Sequence, residues 1–259
     1  MLLCLDVGNS QILGGVFDDD KLKTIFRRSS SVRASSDEFG MFFRGVLREN
    51  GLDPERISAA AICSVAPDAV HSLRSCFRKY FNIDTFVLQP GVKTGLKIRY
   101  SNPLEVGADK IANAIGGLER FPGRNLIVVD FGTATTLCAI GKNNEYLGGV
   151  ITPGIHASMA TLEARTARLP AVEIVRPAQV LGRSTVESIQ SGLYYGTLAT
   201  VRWLAGKITD EYFASDKPAI IGTGGFGSLF AREGLFDSFV SELPLLGLRR
   251  AVELARRTP

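Results

Sequence analysis

An apolar strand that ends in Asp-x-Gly and turns straight back on itself occurs twice in this sequence, and such a repeat restricts the chain to a duplicated α/β architecture. The first copy is residues 2–6 running into Asp6-Val7-Gly8, and the second is residues 126–129 running into Asp130-Phe131-Gly132. Strand-length apolar runs follow each copy, at 12–17 and 22–27 after the first and at 136–140 and 146–151 after the second. Two three-stranded meanders are therefore predicted. Helical spacing of Phe39, Phe42, Phe43, Val46 and Leu47 predicts a helix over 37–49, and further helices are expected over 67–81, from 155 toward 164, and over 185–212. Strands are expected at 57–65, 85–88 and 219–221, with two short helices closing the chain. The expected organisation is a lobe at 1–118, a second lobe at 119–259, and a cleft between them.

Placing Asp-x-Gly at the end of a strand puts a carboxylate and free backbone N–H groups at the mouth of a sheet. Glycine lets the backbone approach an anion, and an aspartate can hold a cation that neutralises phosphate charge. Asn9, Ser10, Thr133, Thr135 and Thr136 crowd the same turns with amide and hydroxyl groups. A single such turn reads as a hairpin connector. Two of them after matching strands favour phosphate binding. No Gly-Lys is followed by Ser or Thr, so a Walker A loop is absent, and the run Gly222-Thr223-Gly224-Gly225-Phe226-Gly227 stands too near the end to begin a dinucleotide-binding unit.

Other functional classes are narrowed by composition. The 30 Lys and Arg against 26 Asp and Glu leave a net charge of only +4, which argues against a dedicated nucleic-acid binder. No stretch is apolar for the length of a membrane span, and the start of the chain lacks a basic signal region, so a cytoplasmic location is expected. Cys4, Cys63, Cys76 and Cys138 form no C-x-x-C pair and read as buried reduced thiols, which leaves catalysis to carboxylates, hydroxyls, lysines and backbone.

The segment 100–110 holds a third group of candidates. Asn102, Pro103 and Glu105 have the types and spacing of a helix N-cap, first position and capping box, predicting one helix from there to about 118. On that reading Asp109 lies beyond the first turn, where neither a cap nor the helix dipole explains it. A catalytic acid, a surface acid and a salt-bridge partner all remain open for it.

The segments DVGNSQILGGVF, NPLEVGADKIANA, VVDFGTATT, GGVITPG, GRSTVESIQSGLYYG and GTGG occur in the order and spacing of the type III pantothenate kinases, also called Bvg accessory factor proteins, and the chain resembles that family nearly end to end. The resemblance implies the duplicated actin-like ATPase (ribonuclease H-like) fold of acetate and sugar kinases, and transfer of the γ-phosphoryl of ATP to the primary hydroxyl of pantothenate. It implies that Asp6, Val7, Gly8, Asn9, Ser10, Gln11, Ile12, Leu13 and Thr133 contact ATP and that Asp130 holds a monovalent cation, K⁺ or NH₄⁺. Asp109 would accept the substrate proton, while Tyr100, Gly107, Ala108, Lys110 and Thr185 would line the pantothenate pocket. A divalent cation, Mg²⁺, is expected with the nucleotide. Members form homodimers in which the neighbour completes the pocket, and apolar Leu193, Tyr194, Tyr195, Leu198, Val201 and Trp203 offer a helix for such an interface.

Two departures stand out against the family pattern. Lys110 replaces the family's arginine after the catalytic aspartate, exchanging a planar fork for a point charge. A regulatory nucleotide-binding protein without turnover, or a kinase of another hydroxy acid, are the competing readings. Residues 249–257 also lack an asparagine common in the family, and Ala251→Asn or Arg256→Asn is expected to be tolerated as a surface change.

Overall fold

The structure is a computed structural model that describes residues 1–30, 34–165 and 169–257, without the side chains of Pro67 and Arg257. It divides into two compact units, Met1–Arg120 with Leu243–Pro259, and Phe121–Glu242. The lobe expected at 119–259 thus loses its last helix to the first unit.

In the first unit, β1 (Leu2–Val7), β2 (Gln11–Asp18) and β3 (Lys21–Ser29) form the antiparallel meander. After α1 (Ser36–Glu49) the chain adds β4 (Ala59–Ser64), then α2 (Pro67–Phe81) and β5 (Thr85–Leu88). The sheet order is β3-β2-β1-β4-β5, with β1, β4 and β5 parallel. Side chains alternate along a strand. Leu3, Leu5 and Val7 accordingly join Phe39, Phe43 and Phe77 of α1 and α2 in one core, where Phe43 stacks on Phe39 and Phe77 at 5.8 and 5.7 Å.

The alternate residues Cys4 and Asp6 face the other way, toward α3 (Ala108–Arg120) and α6 (Leu243–Arg257). A Cβ on Gly247 would strike the carbonyl oxygen of Ala112, and one on Gly116 would come within 2.6 Å of the Leu243 oxygen, so these two helices touch backbone to backbone. Buried Arg249 of α6 pairs with Asp20 in the β2–β3 turn, with Glu119 of α3 and with Glu253. The two short closing helices expected from sequence are instead a 3-10 turn at Gly227–Phe230 and the single long α6.

The second unit repeats the first. Here β7 (Leu126–Phe131), β8 (Ala134–Gly141) and β9 (Glu145–Pro153) form the meander, and β10 (Ala219–Thr223) and β11 (Ser238–Phe239) extend the sheet in parallel beyond β7. Among the strands of this unit, the order β9-β8-β7-β10-β11 matches β3-β2-β1-β4-β5. Between the meander and β10 lie α4 (Ile155–Arg165) and α5 (Thr185–Tyr212), the latter capped by the Ser184 hydroxyl on the Glu187 N–H at 3.2 Å. Leu193, Tyr194, Leu198 and Val201 of α5 are buried in this unit's own core, so of the apolar residues expected to serve an interface only Trp203 is broadly exposed.

One helix start is also corrected. Asn102 caps only a 3-10 turn, Pro103–Glu105, with its side-chain oxygen accepting from the Leu104 N–H and its amide donating to Glu105. A short strand, β6 (Lys97–Ile98), precedes that turn, and α3 starts afresh at Ala108. Among the described residues no helix is long and apolar enough to cross a membrane.

Candidate active site

Because β1 is a short apolar strand, its end projects Asp6 and Val7 into a tight turn. There Gly8 donates its N–H to the Gln11 carbonyl at 3.0 Å, while Asn9 and Ser10 form the exposed tip and Gln11, Ile12 and Leu13 begin β2. The Ser10 carbonyl accepts from the Ser30 N–H at 2.9 Å, tying the tip to the end of β3. All eight residues expected in this nucleotide segment therefore stand in one hairpin.

Asp109 and Lys110 occupy the first turn of α3, contrary to the expectation that Asp109 lies beyond a first turn. The dipole at a helix start favours a carboxylate there. Lys110 Nζ donates to Asp109 Oδ2 at 3.3 Å, with both side chains mostly covered. The other oxygen, Asp109 Oδ1, is buried and meets no donor. Burying an acceptor without a partner costs about 1–3 kcal/mol, and such groups mark places completed by a ligand or water. A Cβ at Gly107 would fall on that same oxygen, so only glycine leaves the carboxylate its position. Tyr100 lies partly exposed on the segment leading to this turn, and Ala108, the first residue of α3, is buried.

One residue near this turn was read from sequence only as a buried thiol. Cys63 on β4 donates from Sγ to Asp6 Oδ1 at 3.3 Å. Burial pushes its thiol well above the ordinary value, the charge of Asp6 adds to this, and the charge of Asp109 adds further. Asp6 and Asp109, distant in sequence, thus act on one sulfur. No local pattern in the sequence pairs residues 6 and 63; the register of β1 against β4 does so.

In the second unit Asp130 takes the place that Asp6 holds in the first, one residue before the end of β7, and Gly132 donates its N–H to Ala134 at 3.1 Å much as Gly8 does to Gln11. Thr133 is the tip residue of this turn. Two other glycine segments close on it. A Cβ on Gly154 would strike the Thr133 carbonyl, and one on Gly224, whose φ is +91°, would strike Asp130 Oδ1. Thr223, the register partner of Asp130, is 1% exposed, and its hydroxyl meets no partner. An aspartate beside an orphaned hydroxyl, in a cradle that a Cβ would fill, is a donor set that fits a cation. Thr185 is not part of this group: it begins α5 and lines an open groove of about 1010 Å³ with Ser158, Thr161, Leu162, Arg183 and Leu193.

A family model described as type III pantothenate kinase matches residues 2–207. A type III pantothenate kinase of Legionella pneumophila (strain Corby) is 56% identical over 97% of this chain and 98% of its own length. Among solved structures, a Baf family protein from Campylobacter jejuni aligns with a TM-score of 0.61 at 20% identity over 97% of each chain. A ROK family glucokinase from Streptomyces griseus aligns with a TM-score of 0.50 at 15% identity over 99% of each chain. At those identities the two structures speak to the fold alone, and the fold is that of the actin-like ATPases and sugar kinases.

Proposed function

The chain belongs to the type III pantothenate kinase family, and from that premise we propose how its own residues divide the work of phosphorylating pantothenate with ATP, a step of coenzyme A biosynthesis. The observation that carries the assignment of the base is the Asp109 carboxylate, held by Lys110 through one oxygen and orphaned at the other. The primary hydroxyl of pantothenate gives its proton to Asp109 as its oxygen forms the bond to the γ-phosphorus. The bond from that phosphorus to the bridging oxygen breaks, and ADP leaves. Tyr100, Gly107, Ala108, Lys110 and Thr185 contact pantothenate.

Residues 6–13 and Thr133 bind ATP through backbone N–H groups and short polar side chains. Such catalysis consists mostly of positioning and charge neutralisation. Mg²⁺ at Asp6 and a monovalent cation at Asp130 would offset phosphate charge. The functional unit is a cytoplasmic homodimer.

Coupled ADP release with ATP, Mg²⁺, K⁺ and a panel of hydroxylated acids tests this reading. Turnover is expected on pantothenate alone, and replacing K⁺ with a large organic cation is expected to abolish it. Turnover on a different acid, or nucleotide binding with none, would redirect the assignment.

A further inference from the structure

The Cys63 thiol touches Asp6, and the proposed chemistry has no use for it. The two residues are register partners on parallel strands β1 and β4, so their side chains stand side by side on the face that looks toward α3. Cys63 is fully buried, and its Sγ lies 3.3 Å from Asp6 Oδ1. The rest of β4 is Ala59, Ala60, Ala61, Ile62 and Ser64, so alanine or isoleucine would match the strand's own habit at this place. What the sulfur adds is a proton donor.

We propose that Cys63 is a positioning residue of the nucleotide site, its thiol fixing the rotation of the Asp6 carboxylate so that the aspartate meets magnesium-bound nucleotide in a single orientation. The inference rests on the reading of Asp6 as a nucleotide contact. A sulfur that only filled space would yield to other side chains of similar volume with a loss of stability and nothing else. A sulfur that holds Asp6 must be replaceable by another donor and by no apolar group.

The test uses the full chain with Cys63→Ala, Cys63→Val and Cys63→Ser, and with Asp6→Asn as reference. Mg·ADP affinity is measured by titration calorimetry, steady-state constants for both substrates by coupled assay, and melting temperature alongside. Loss of one buried hydrogen bond to a carboxylate predicts that the alanine and valine variants weaken Mg·ADP binding and raise the KM for ATP by about threefold to tenfold, with the KM for pantothenate unchanged. Cys63→Ser is expected to restore both values. The inference is overturned if either apolar variant binds Mg·ADP as the parent does, or if serine is as weak as alanine. Should alanine at this buried place fail to fold, valine, which leaves no cavity and suits a strand, carries the same expectation. Asp6→Asn separates the two levels: undiminished Mg·ADP binding there removes the nucleotide reading of Asp6 itself, whereas lost binding there with intact binding in Cys63→Val removes the positioning role alone.

Discussion

Asp109 combines two properties that rarely meet in a structural acid, a place at a helix start that favours its charge and an oxygen left buried without a donor. If that oxygen takes the substrate proton, Asp109→Asn keeps shape and nearly all volume but loses the base. Turnover is expected to fall roughly 10² to 10⁴-fold, with the circular dichroism spectrum and ADP affinity unchanged. Full activity of the variant would remove Asp109 from the chemistry. Lys110 faces the same carboxylate with a single ammonium. Lys110→Ala is expected to raise the KM for pantothenate roughly tenfold or more while sparing the KM for ATP, and Lys110→Arg to keep or lower it. At this scale the sequence was legible in part. The types and order of the turn residues pointed to Asp6 and Asp130, but Asp109 was singled out only by its family motif, since spacing alone left a catalytic acid, a surface acid and a salt-bridge partner all open. The contact between Cys63 and Asp6 depends on strand register, which no local pattern encodes.

Strands and helices were the most legible elements, because alternation and 3.6-residue spacing report burial directly. Both meanders, α1, α2, α4 and α5 stand within a few residues of their expected places. The start of α3 was misplaced for a physical reason: Asn102, Pro103 and Glu105 are sound helix-opening residues, but they serve a one-turn 3-10 segment that Gly107 separates from α3. The C-terminal helix was mistaken differently. A helical pattern tells that one face is covered, not which sheet covers it, and α6 covers the sheet of the first unit. This reverses one expectation about substitutions, since Ala251 is fully buried. Ala251→Asn should lower stability by about 1–3 kcal/mol for the amide it buries, while Arg256→Asn on the exposed side should stay within about 0.5 kcal/mol. Urea unfolding of the two variants compares them directly. Equal stabilities would mean that α6 does not pack through Ala251.

At the scale of the whole molecule, the duplication seen in two short turns extends to the strand order of both sheets, so the fold class was largely legible from one repeated tripeptide pattern. Oligomeric state was less so. The apolar residues of α5 that suggested an interface are mostly consumed by the unit's own core, and what remains outside is Trp203, exposed Val180, Leu181 and Val186, and the groove beside Thr185. Light scattering at micromolar concentration is expected to give twice the 28.0 kDa chain mass, and a monomer mass would reject the homodimer. The return of α6 to the first unit bears as well on how the protein is made. The sheet that carries Asp6 is translated first, yet the helix laid against it begins at Leu243, after every residue of the second unit has been added. Until then a growing chain on the ribosome has α3 but not α6 to lay against the face that holds Cys4 and Asp6. The sheet behind the hairpin at residues 6–13 therefore gains part of its backing last, and a ribosome that stops short of α6 releases a chain whose first unit is incomplete.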